Sequence, residues 1–500
     1  MIARTEQIPV PEAPLYRRLA DELTRSIESG ALRVGDRVPS IRSICRTRRL
    51  SFSTALQAYA ELESRGWIEA RPRSGYFVRA RWQEATSVPD GAPTPDPEKA
   101  LEIEKLDAFD ALLEARRDPA MLQLGAATAG PELYPYERLN RIMASVSRSA
   151  GSRLMHYESA SGSPELRAEI ARRALASGVR VDPDEIVVTV GCMEALQLSL
   201  RAVAAPGETV VVESPTYFGV LQAIRELGLR VVEVPSSCRT GLDLEAFEEA
   251  LSNHPVKAAF VQPNFHNPHG ASMSEAGKRR LAELAAQYGV AVIEDDVYSE
   301  LAWRGEPRPV AAKAFDADGR VMLCSSFSKT IAPGLRVGWV IPGRLAERVR
   351  KLKQATNVCN PTIPQLAVRE FLRSGGYDRH LRTAGELFRG QVERMISAVT
   401  DSFPEEGLCL SRPTGGYLLW VQLDHRVDAL ELSRAALREK ISIAPGPMFS
   451  ASGGFKSYIR INCGTAWSPA IERGIAVLGH LVRERMGRNR IPKRLHPSAR

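Results

Sequence analysis

The sequence predicts an α/β protein in which a small, mostly helical N-terminal domain precedes a large domain built on a mainly parallel sheet. The apolar run at residues 290–298, which ends in carboxylates and a tyrosine, predicts a buried parallel strand. The first eighty residues instead show the spacing of amphipathic helices. Between these regions, residues 88–97 include four prolines, two aspartates and one glycine without an apolar period, which predicts a linker.

Three helices are predicted in the N-terminal domain. The apolar residues of the first recur every four positions along one stripe, formed by Leu15, Leu19, Leu23 and Ile27. Gly30 is expected to end this helix, and Ser40 is the expected N-cap of the second. The third should begin near Ser51 and run to Ser64. Three of its side chains are predicted to point inward, namely Leu56, Tyr59 and Leu62.

A hairpin is predicted after the third helix, because residues 67–78 read as two strands joined by a basic turn. Three helices followed by a hairpin form a winged helix-turn-helix, in which the third helix enters the major groove of DNA. This segment resembles the GntR family at residues 39–42, 58–66 and 73–78.

The GntR resemblance implies which residues face double-stranded DNA: Arg42, Ser51, Ser53, Thr54, Arg71, Arg73, Ser74 and Gly75. Members of that family usually have an arginine after the first serine of the third helix, whereas this chain has Phe52 there. A direct guanine contact is therefore expected to be missing.

Basic residues concentrate at the two ends of the chain. Residues 1–82 have fifteen arginines and no lysine against nine acids, which suits phosphate contacts. The tail 483–500 has seven basic residues against Glu484. This tail fits either a soluble end or a second DNA contact, and Arg46, Arg48 and Arg49 fit either a DNA-facing or a solvated surface.

In the large domain, residues 325–339 place one lysine among hydroxyl groups. Ser326 precedes Lys329 by three residues, and Arg336 follows it by seven. An amine can hold an aldehyde cofactor as a Schiff base, and a guanidinium fork can bind the phosphate of such a cofactor. This segment therefore predicts a covalent cofactor site.

Residues that could bind the other groups of such a cofactor precede this lysine in the sequence. Asp295 ends a predicted strand and could keep a pyridine nitrogen protonated, with Asp296 as the alternative because the sequence does not fix the register. Tyr298 and Asn267 are candidates for the phenolic oxygen. Gly191 follows a strand and opens a helix, so backbone N–H groups there can bind phosphate.

Two further positions complete the predicted site. Tyr217 could stack on the cofactor ring, although its neighbour Phe218 could do so instead. Arg460 lies inside an apolar strand and needs an anion, which a substrate carboxylate or an internal glutamate could supply.

Taken in order, these motifs resemble the fold-type I aminotransferases of class I/II over roughly residues 105–480. The resemblance implies a domain that depends on pyridoxal 5'-phosphate, with a mainly parallel central sheet and a small C-terminal α+β subdomain. It makes Lys329 the Schiff-base lysine and Arg460 the substrate-binding arginine. It assigns the phosphate to Gly191, Cys192, Ser326 and Arg336, and Tyr157 to the phosphate of a partner subunit. Cys192 and His269 depart from the usual residue types of the family.

A winged helix before an aminotransferase-like domain is the arrangement of the MocR subfamily of GntR transcriptional regulators. This resemblance predicts a DNA-binding domain at 1–82, a linker at 83–105, an aminotransferase-like domain at 106–482 and a basic tail at 483–500. It implies a homodimeric regulator that holds pyridoxal phosphate as an internal aldimine and senses an amino compound or pyridoxal phosphate itself. The alternative is an active amino-acid aminotransferase with an appended DNA-binding domain.

Composition argues against several other classes of protein. No stretch of eighteen apolar residues predicts a membrane span, and the N-terminus lacks an apolar signal region. The seven cysteines are scattered without a Cys-x-x-Cys pair, so a cytoplasmic location is expected. His266 and His269 are not expected to bind a metal, because the intervening Asn-Pro breaks any helix that would align them.

Overall fold

The computed structural model describes residues 14–28, 31–32, 36–64, 67–71, 75–78, 100–103, 107–303 and 306–488. The chain divides into two compact units, Met1–Ala85 and Thr86–Arg500. Several predictions fall outside the described residues, namely the helix end at Gly30, the wing residues Arg73 and Ser74, most of the linker, and the tail from residue 489 onwards.

The described part of the first unit contains three helices and a hairpin. Its elements are α1 (Leu15–Glu28), α2 (Ile41–Arg48), α3 (Phe52–Ser64), β1 (Ile68–Arg71) and β2 (Gly75–Val78). The two strands are antiparallel, with Ile68 opposite Val78. The predicted cap of α2 is confirmed, because the hydroxyl of Ser40 accepts a hydrogen bond from the backbone N–H of Ser43 over 3.2 Å.

The core of this unit corrects two sequence predictions. Leu19 and Leu23 of α1 are buried as expected, but Leu15 is 58% exposed. On α3, Leu56 is 44% exposed rather than buried. The buried face of α3 is instead formed by Ala55, Ala58, Tyr59 and Leu62. Because the face with the two alanines packs against the core, the side chain of Leu56 points away from it.

The second unit contains twelve α-helices within its described residues. They are α4 (Asp107–Ala115), α5 (Tyr136–Ser149), α6 (Pro164–Ala174), α7 (Gly191–Val203), α8 (Phe218–Glu226), α9 (Leu244–Asn253), α10 (Glu275–Tyr288), α11 (Ala346–Asn357), α12 (Thr362–Arg373), α13 (Gly376–Ser402), α14 (Ala429–Arg438) and α15 (Pro469–Arg488). None of the helices in the described residues is long and apolar enough to cross a bilayer.

The strands that the structure describes in the second unit form one large sheet and two smaller ones. They are β3 (Leu122–Gln123), β4 (Val187–Val190), β5 (Thr209–Ser214), β6 (Arg230–Ser237), β7 (Gly241–Leu242), β8 (Val256–Val261), β9 (Ala291–Asp295), β10 (Val321–Ser326), β11 (Val337–Ile341), β12 (Cys409–Leu410), β13 (Leu418–Gln422), β14 (Ile441–Ser442), β15 (Ala444–Pro445) and β16 (Tyr458–Asn462).

The large sheet has the order β4-β11-β10-β9-β8-β5-β6-β7. Strands β10, β9, β8, β5 and β6 are parallel, and β11 runs against both of its neighbours. A four-stranded antiparallel sheet of order β12-β13-β16-β15 forms the C-terminal α+β subdomain with nearby helices. The predicted fold class is confirmed. Because the carboxyl ends of parallel strands share one edge of a sheet, Asp295 and Ser326 end neighbouring strands at the same edge.

Candidate functional site

A cavity of about 630 Å³ lies at the carboxyl ends of the parallel strands. Eight of the residues predicted from the sequence line it, namely Cys192, Tyr217, Asn267, Asp295, Tyr298, Ser326, Lys329 and Arg336. Two others adjoin these residues, because Gly191 packs against Arg336 and Arg460 binds Asn267. Tyr157 is the exception, since it is 86% exposed and does not line the cavity.

Lys329 lies in the turn that follows β10, and its amine is directed into the cavity. The Nζ atom donates a hydrogen bond to the backbone oxygen of Ala127 and lies 5.7 Å from the ring centre of Tyr298. Burial, followed by the charge of Arg460, lowers the pKa of Lys329 to about 8. A lysine with this pKa is neutral in about one-tenth of the molecules at pH 7, far more than an ordinary lysine, and the neutral amine is the nucleophilic form.

Asp295 ends β9 and faces the cavity, whereas Asp296, the alternative candidate, does not line the cavity. Asp296 is directed elsewhere and accepts hydrogen bonds from the side chains of Asn264 and Ser299, over 2.9 and 2.5 Å. Successive side chains of an extended segment point to opposite sides, which separates the two carboxylates. Burial raises the pKa of Asp295 to about 6.

Gln262 connects two predicted site residues, and sequence reasoning assigned it no role. Its Nε2 atom donates to Oδ2 of Asp295 over 2.9 Å, and its Oε1 atom accepts from the backbone N–H of Asn267 over 3.3 Å. Its own backbone N–H donates to the buried carboxylate of Glu213 over 2.6 Å. Gln262 therefore fixes the position of the carboxylate at the end of β9.

The phosphate end of the predicted site is formed where α7 begins. Gly191 has a φ of +73°, and a Cβ atom placed on it would lie 2.2 Å from a guanidinium nitrogen of Arg336. Only glycine allows this approach. Arg336 also donates to the backbone oxygen of Val190 over 3.1 Å and to the hydroxyl of Ser328 over 3.3 Å. A guanidinium and the start of a helix thus converge on one side of the cavity, which fits a phosphate group.

Cys192 has a different neighbour from the one expected for a phosphate ligand. Its Sγ atom lies 3.5 Å from Oδ1 of Asp295. Its backbone N–H belongs to the first turn of α7, where such groups lack helical partners. The backbone of Cys192, rather than its thiol, is the part suited to phosphate.

Arg460 lies on β16 and is completely buried. It donates to Oδ1 of Asn267 over 2.8 Å and to the backbone oxygen of Gly125, and its Nε atom has no hydrogen-bond partner among the described residues. No described carboxylate forms an ion pair with it, and burial lowers its pKa to about 10. These features leave the guanidinium able to bind an anion.

Two neighbouring aromatic side chains at the site are available to stack on a cofactor ring. Tyr217 and Phe218 both line the cavity, with ring centres 5.2 Å apart. The guanidinium carbon of Arg460 lies 5.6 Å from the ring centre of Phe218. Burial raises the pKa of Tyr217 to about 12, so this phenol stays protonated at neutral pH.

Helix α4 closes one side of the cavity, and its role was not recognised from the sequence. Phe109, Leu112 and Leu113 line the cavity, as does Arg116, which follows the helix. The charge of Arg116 contributes to the lowered pKa of Lys329. The spacing of apolar residues in this short helix does not by itself indicate that the helix faces the cofactor site.

The residues predicted to face DNA lie on the surface of the first unit where the structure describes them. Arg42, Ser51 and Ser53 are exposed, and Thr54 is half-buried. The hydroxyl of Ser51 lies 2.9 Å from that of Ser53 and 2.7 Å from that of Thr54. Gly75 starts β2 with a φ of +100°, whereas Arg73, Ser74 and the side chain of Arg71 lie outside the described set.

Two family comparisons match separate parts of the chain. Residues 132–475 match aminotransferase class I and II, and residues 15–78 match the bacterial regulatory proteins of the gntR family.

Individual relatives cover most of the chain. The uncharacterized HTH-type transcriptional regulator YdcR of Escherichia coli is 40% identical over 471 residues, which cover 94% of this chain and 99% of YdcR. An aromatic-amino-acid aminotransferase of Thermococcus litoralis is 30% identical and covers 78% of this chain and 94% of its own. The α-aminoadipate aminotransferase LysN of Thermus thermophilus, solved with N-(5'-phosphopyridoxyl)-L-leucine, superposes with a TM-score of 0.70 at 29% identity. That match covers 77% of this chain and 96% of LysN.

The second unit therefore has the aminotransferase fold, and the first matches a helix-turn-helix domain. The chain belongs to the class I and II aminotransferase family and, with a GntR-type domain ahead of that fold, to the MocR-type transcriptional regulators.

Proposed function

We propose that this transcriptional regulator acts as a cytoplasmic homodimer that holds pyridoxal phosphate on Lys329 and responds to an amino compound or to pyridoxal phosphate itself. One observation carries this proposal. A GntR-type DNA-binding unit shares its chain with a cavity that brings together Lys329, Asp295 and Arg336. The same cavity adjoins Arg460 through Asn267.

Pyridoxal phosphate is the cofactor that the family membership indicates, and the cavity residues fit its groups. When bound, it supplies a ring that accepts electrons from an attached amino compound. Lys329 would hold the aldehyde carbon and carry a proton, and Asp295 would keep the pyridine nitrogen protonated. Tyr298 and Asn267 would donate to the phenolic oxygen, and Tyr217 would pack on the ring. Gly191, the backbone of Cys192, Ser326 and Arg336 would hold the phosphate.

The orientation of Asn267 supports its part in this proposal. Its Oδ1 atom accepts from Arg460 over 2.8 Å, which leaves the amide Nδ2 as a donor for another group. Arg460 in turn keeps one unpartnered nitrogen for a carboxylate. An amino-compound effector would therefore also carry a carboxylate.

Coupling to DNA would follow from differential binding. If the effector binds two arrangements of the dimer with different affinities, the spacing of the DNA-binding domains shifts towards the better-bound arrangement. Tyr157 is exposed together with its neighbours Leu154 and Met155, and such a group of exposed apolar side chains supports a contact with a partner subunit.

A second candidate is an active aminotransferase, which the intact Lys329 and the lowered pKa of its amine favour. Full transamination needs Lys329 to move a proton at the substrate carbon. A steady-state assay over a panel of amino donors and keto acids separates the candidates. Turnover of about 1–100 per second, ordinary for enzymes, would support the enzyme and contradict a pure regulator.

Regulation itself is tested by binding to DNA selected from a random duplex pool. We expect a pyridoxal phosphate-loaded dimer to bind the selected sequence, and an amino acid from the panel, or pyridoxal phosphate itself, to change that affinity. DNA binding that no member of the panel and no loading with pyridoxal phosphate alters would contradict the sensor proposal.

A further inference from the structure

Helix α3 exposes two large apolar side chains. Phe52 is 57% exposed and Leu56 is 44% exposed, and they lie four residues apart on one face of the helix. The opposite face is buried by Ala58, Tyr59 and Leu62. Apolar side chains that are exposed at adjacent positions often mark a surface that contacts another molecule.

The apolar pair lies where a winged helix meets DNA. Phe52 is the first residue of α3, beside the hydroxyl cluster of Ser51. Glu63, seven residues after Leu56, accepts a hydrogen bond from the backbone N–H of Ala70 in β1 over 3.0 Å. The face that carries Phe52 and Leu56 therefore leads towards the hairpin. In helix-turn-helix proteins, the second helix of the motif is the recognition helix, which corresponds to α3 here. Residues at the start of that helix contact base edges.

Charge identifies the occupant of this surface. The first unit is rich in arginine, which suits a polyanion, but α3 itself contains neither arginine nor lysine. Arginine and lysine supply the commonest contacts to guanine, whereas the apolar feature of the major groove is the 5-methyl group of thymine. Serine and threonine hydroxyls discriminate weakly among bases.

We propose that Phe52 and Leu56 read thymine methyl groups in the major groove of the operator. This inference rests on the DNA-binding function proposed above and adds the chemical class of base that α3 selects. Arginines elsewhere in the unit, such as the exposed Arg42, supply phosphate contacts that carry no sequence information.

The test removes the methyl group and nothing else. The full-length protein selects a binding sequence from a random duplex pool, and each thymine of that sequence is then replaced in turn by deoxyuridine. We expect deoxyuridine at one or two positions to weaken binding about fourfold per methyl group. With Phe52→Ala or Leu56→Ala, the same replacement should have no effect at the position that the missing side chain read.

Two further variants sharpen the result. Phe52→Arg should shift the selected base at that position from thymine to guanine, because a guanidinium pairs with O6 and N7 of guanine. Leu15→Ala is the matched control, since Leu15 is an exposed leucine on α1 of the same unit. It should keep every deoxyuridine penalty of the wild type. Phe52→Ala should leave the salt dependence unchanged, because no phosphate contact is lost.

The outcomes distinguish this proposal from the DNA-binding function on which it rests. Wild-type binding that is indifferent to deoxyuridine at every position contradicts methyl recognition while leaving DNA binding intact. A change in oligomeric state for Phe52→Ala, without a change in the deoxyuridine penalties, shows a protein interface instead and also overturns the proposal. Failure of the wild type to select any sequence contradicts both proposals together.

Discussion

The side-chain amide of Gln262 donates a hydrogen bond from Nε2 to Oδ2 of Asp295 over 2.9 Å. The same side chain accepts from the backbone N–H of Asn267, so one residue orients two proposed cofactor contacts. The hydrogen bond from Gln262 also lowers the pKa of Asp295 and partly offsets the effect of burial. Gln262 is therefore a positioning residue for the proposed pyridine partner.

Replacing this glutamine tests that role. Gln262→Leu should raise the pKa of Asp295 and weaken pyridoxal phosphate binding by about tenfold, because a buried carboxylate loses a donor. The dissociation constant is measured by absorbance titration of the apo-protein. The control is Gln222→Leu on α8, a half-buried glutamine that does not line the site cavity. Equal affinity for Gln262→Leu and wild type would show that Gln262 has no such role.

Gly191 provides a steric test of the phosphate end. Gly191→Ala places a methyl group 2.2 Å from a nitrogen of Arg336 at a φ of +73°. We expect the affinity for pyridoxal phosphate to fall about tenfold or more. Gly334→Ala is the control, because Gly334 lines the same cavity and its added Cβ meets nothing within 4 Å. If both variants bind alike, the phosphate does not lie beside Arg336.

Loading of Lys329 should depend on pH in a defined direction. The pKa of Lys329 is lowered to about 8, and only the neutral amine attacks an aldehyde. The rate of reconstitution should therefore rise with pH through about 8 and level off above it. A rate that falls with pH over that range would contradict the role of the amine.

Arg116 should influence this titration from the edge of the cavity. Its positive charge disfavours the ammonium form of Lys329, so Arg116→Ala raises the pKa of Lys329 and moves the loading midpoint to higher pH. Arg116 is exposed, so the shift should shrink at 1 M salt. The exposed neighbour Arg117 is the control, and Arg117→Ala should leave the midpoint in place. An unchanged midpoint for Arg116→Ala at low salt would contradict the coupling.

The salt dependence of DNA binding tests the proposed phosphate contacts. Replacing Arg42 and Arg73 with alanine should reduce the slope of log affinity against log salt by about two. Arg48→Ala serves as the comparison, because Arg48 forms an ion pair with Glu22. It should leave the slope nearly unchanged. A double variant with the wild-type slope would refute the placement of Arg42 and Arg73.

The central site could be anticipated because its chemistry follows the strands. Asp295 and Ser326 each end a buried parallel strand, and such ends meet at one edge of a sheet. The sequence could not choose between Asp295 and Asp296, because that choice depends on which way the chain turns as it leaves β9. Gln262 was missed because a polar residue after a strand has many possible partners, and only the fold brings it to Asp295.

The predicted burial of Leu56 was wrong because apolar spacing did not show which face of α3 packs against the core. Spacing alone placed Leu56 in the core, but fully buried Ala55 and Ala58 define the packed face of α3. Small residues carry little weight in an apolar pattern, although they allow close packing. The exposed Leu56 and Phe52 became informative only after the buried face was known.

The measurement that bears most directly on the central claim is the absorption spectrum of the protein with pyridoxal phosphate, recorded beside Lys329→Ala and then with a panel of amino acids. We predict a band near ~420 nm that requires Lys329 and that one amino acid shifts. A wild-type protein without this band, or a band that persists in Lys329→Ala, would contradict covalent attachment at Lys329.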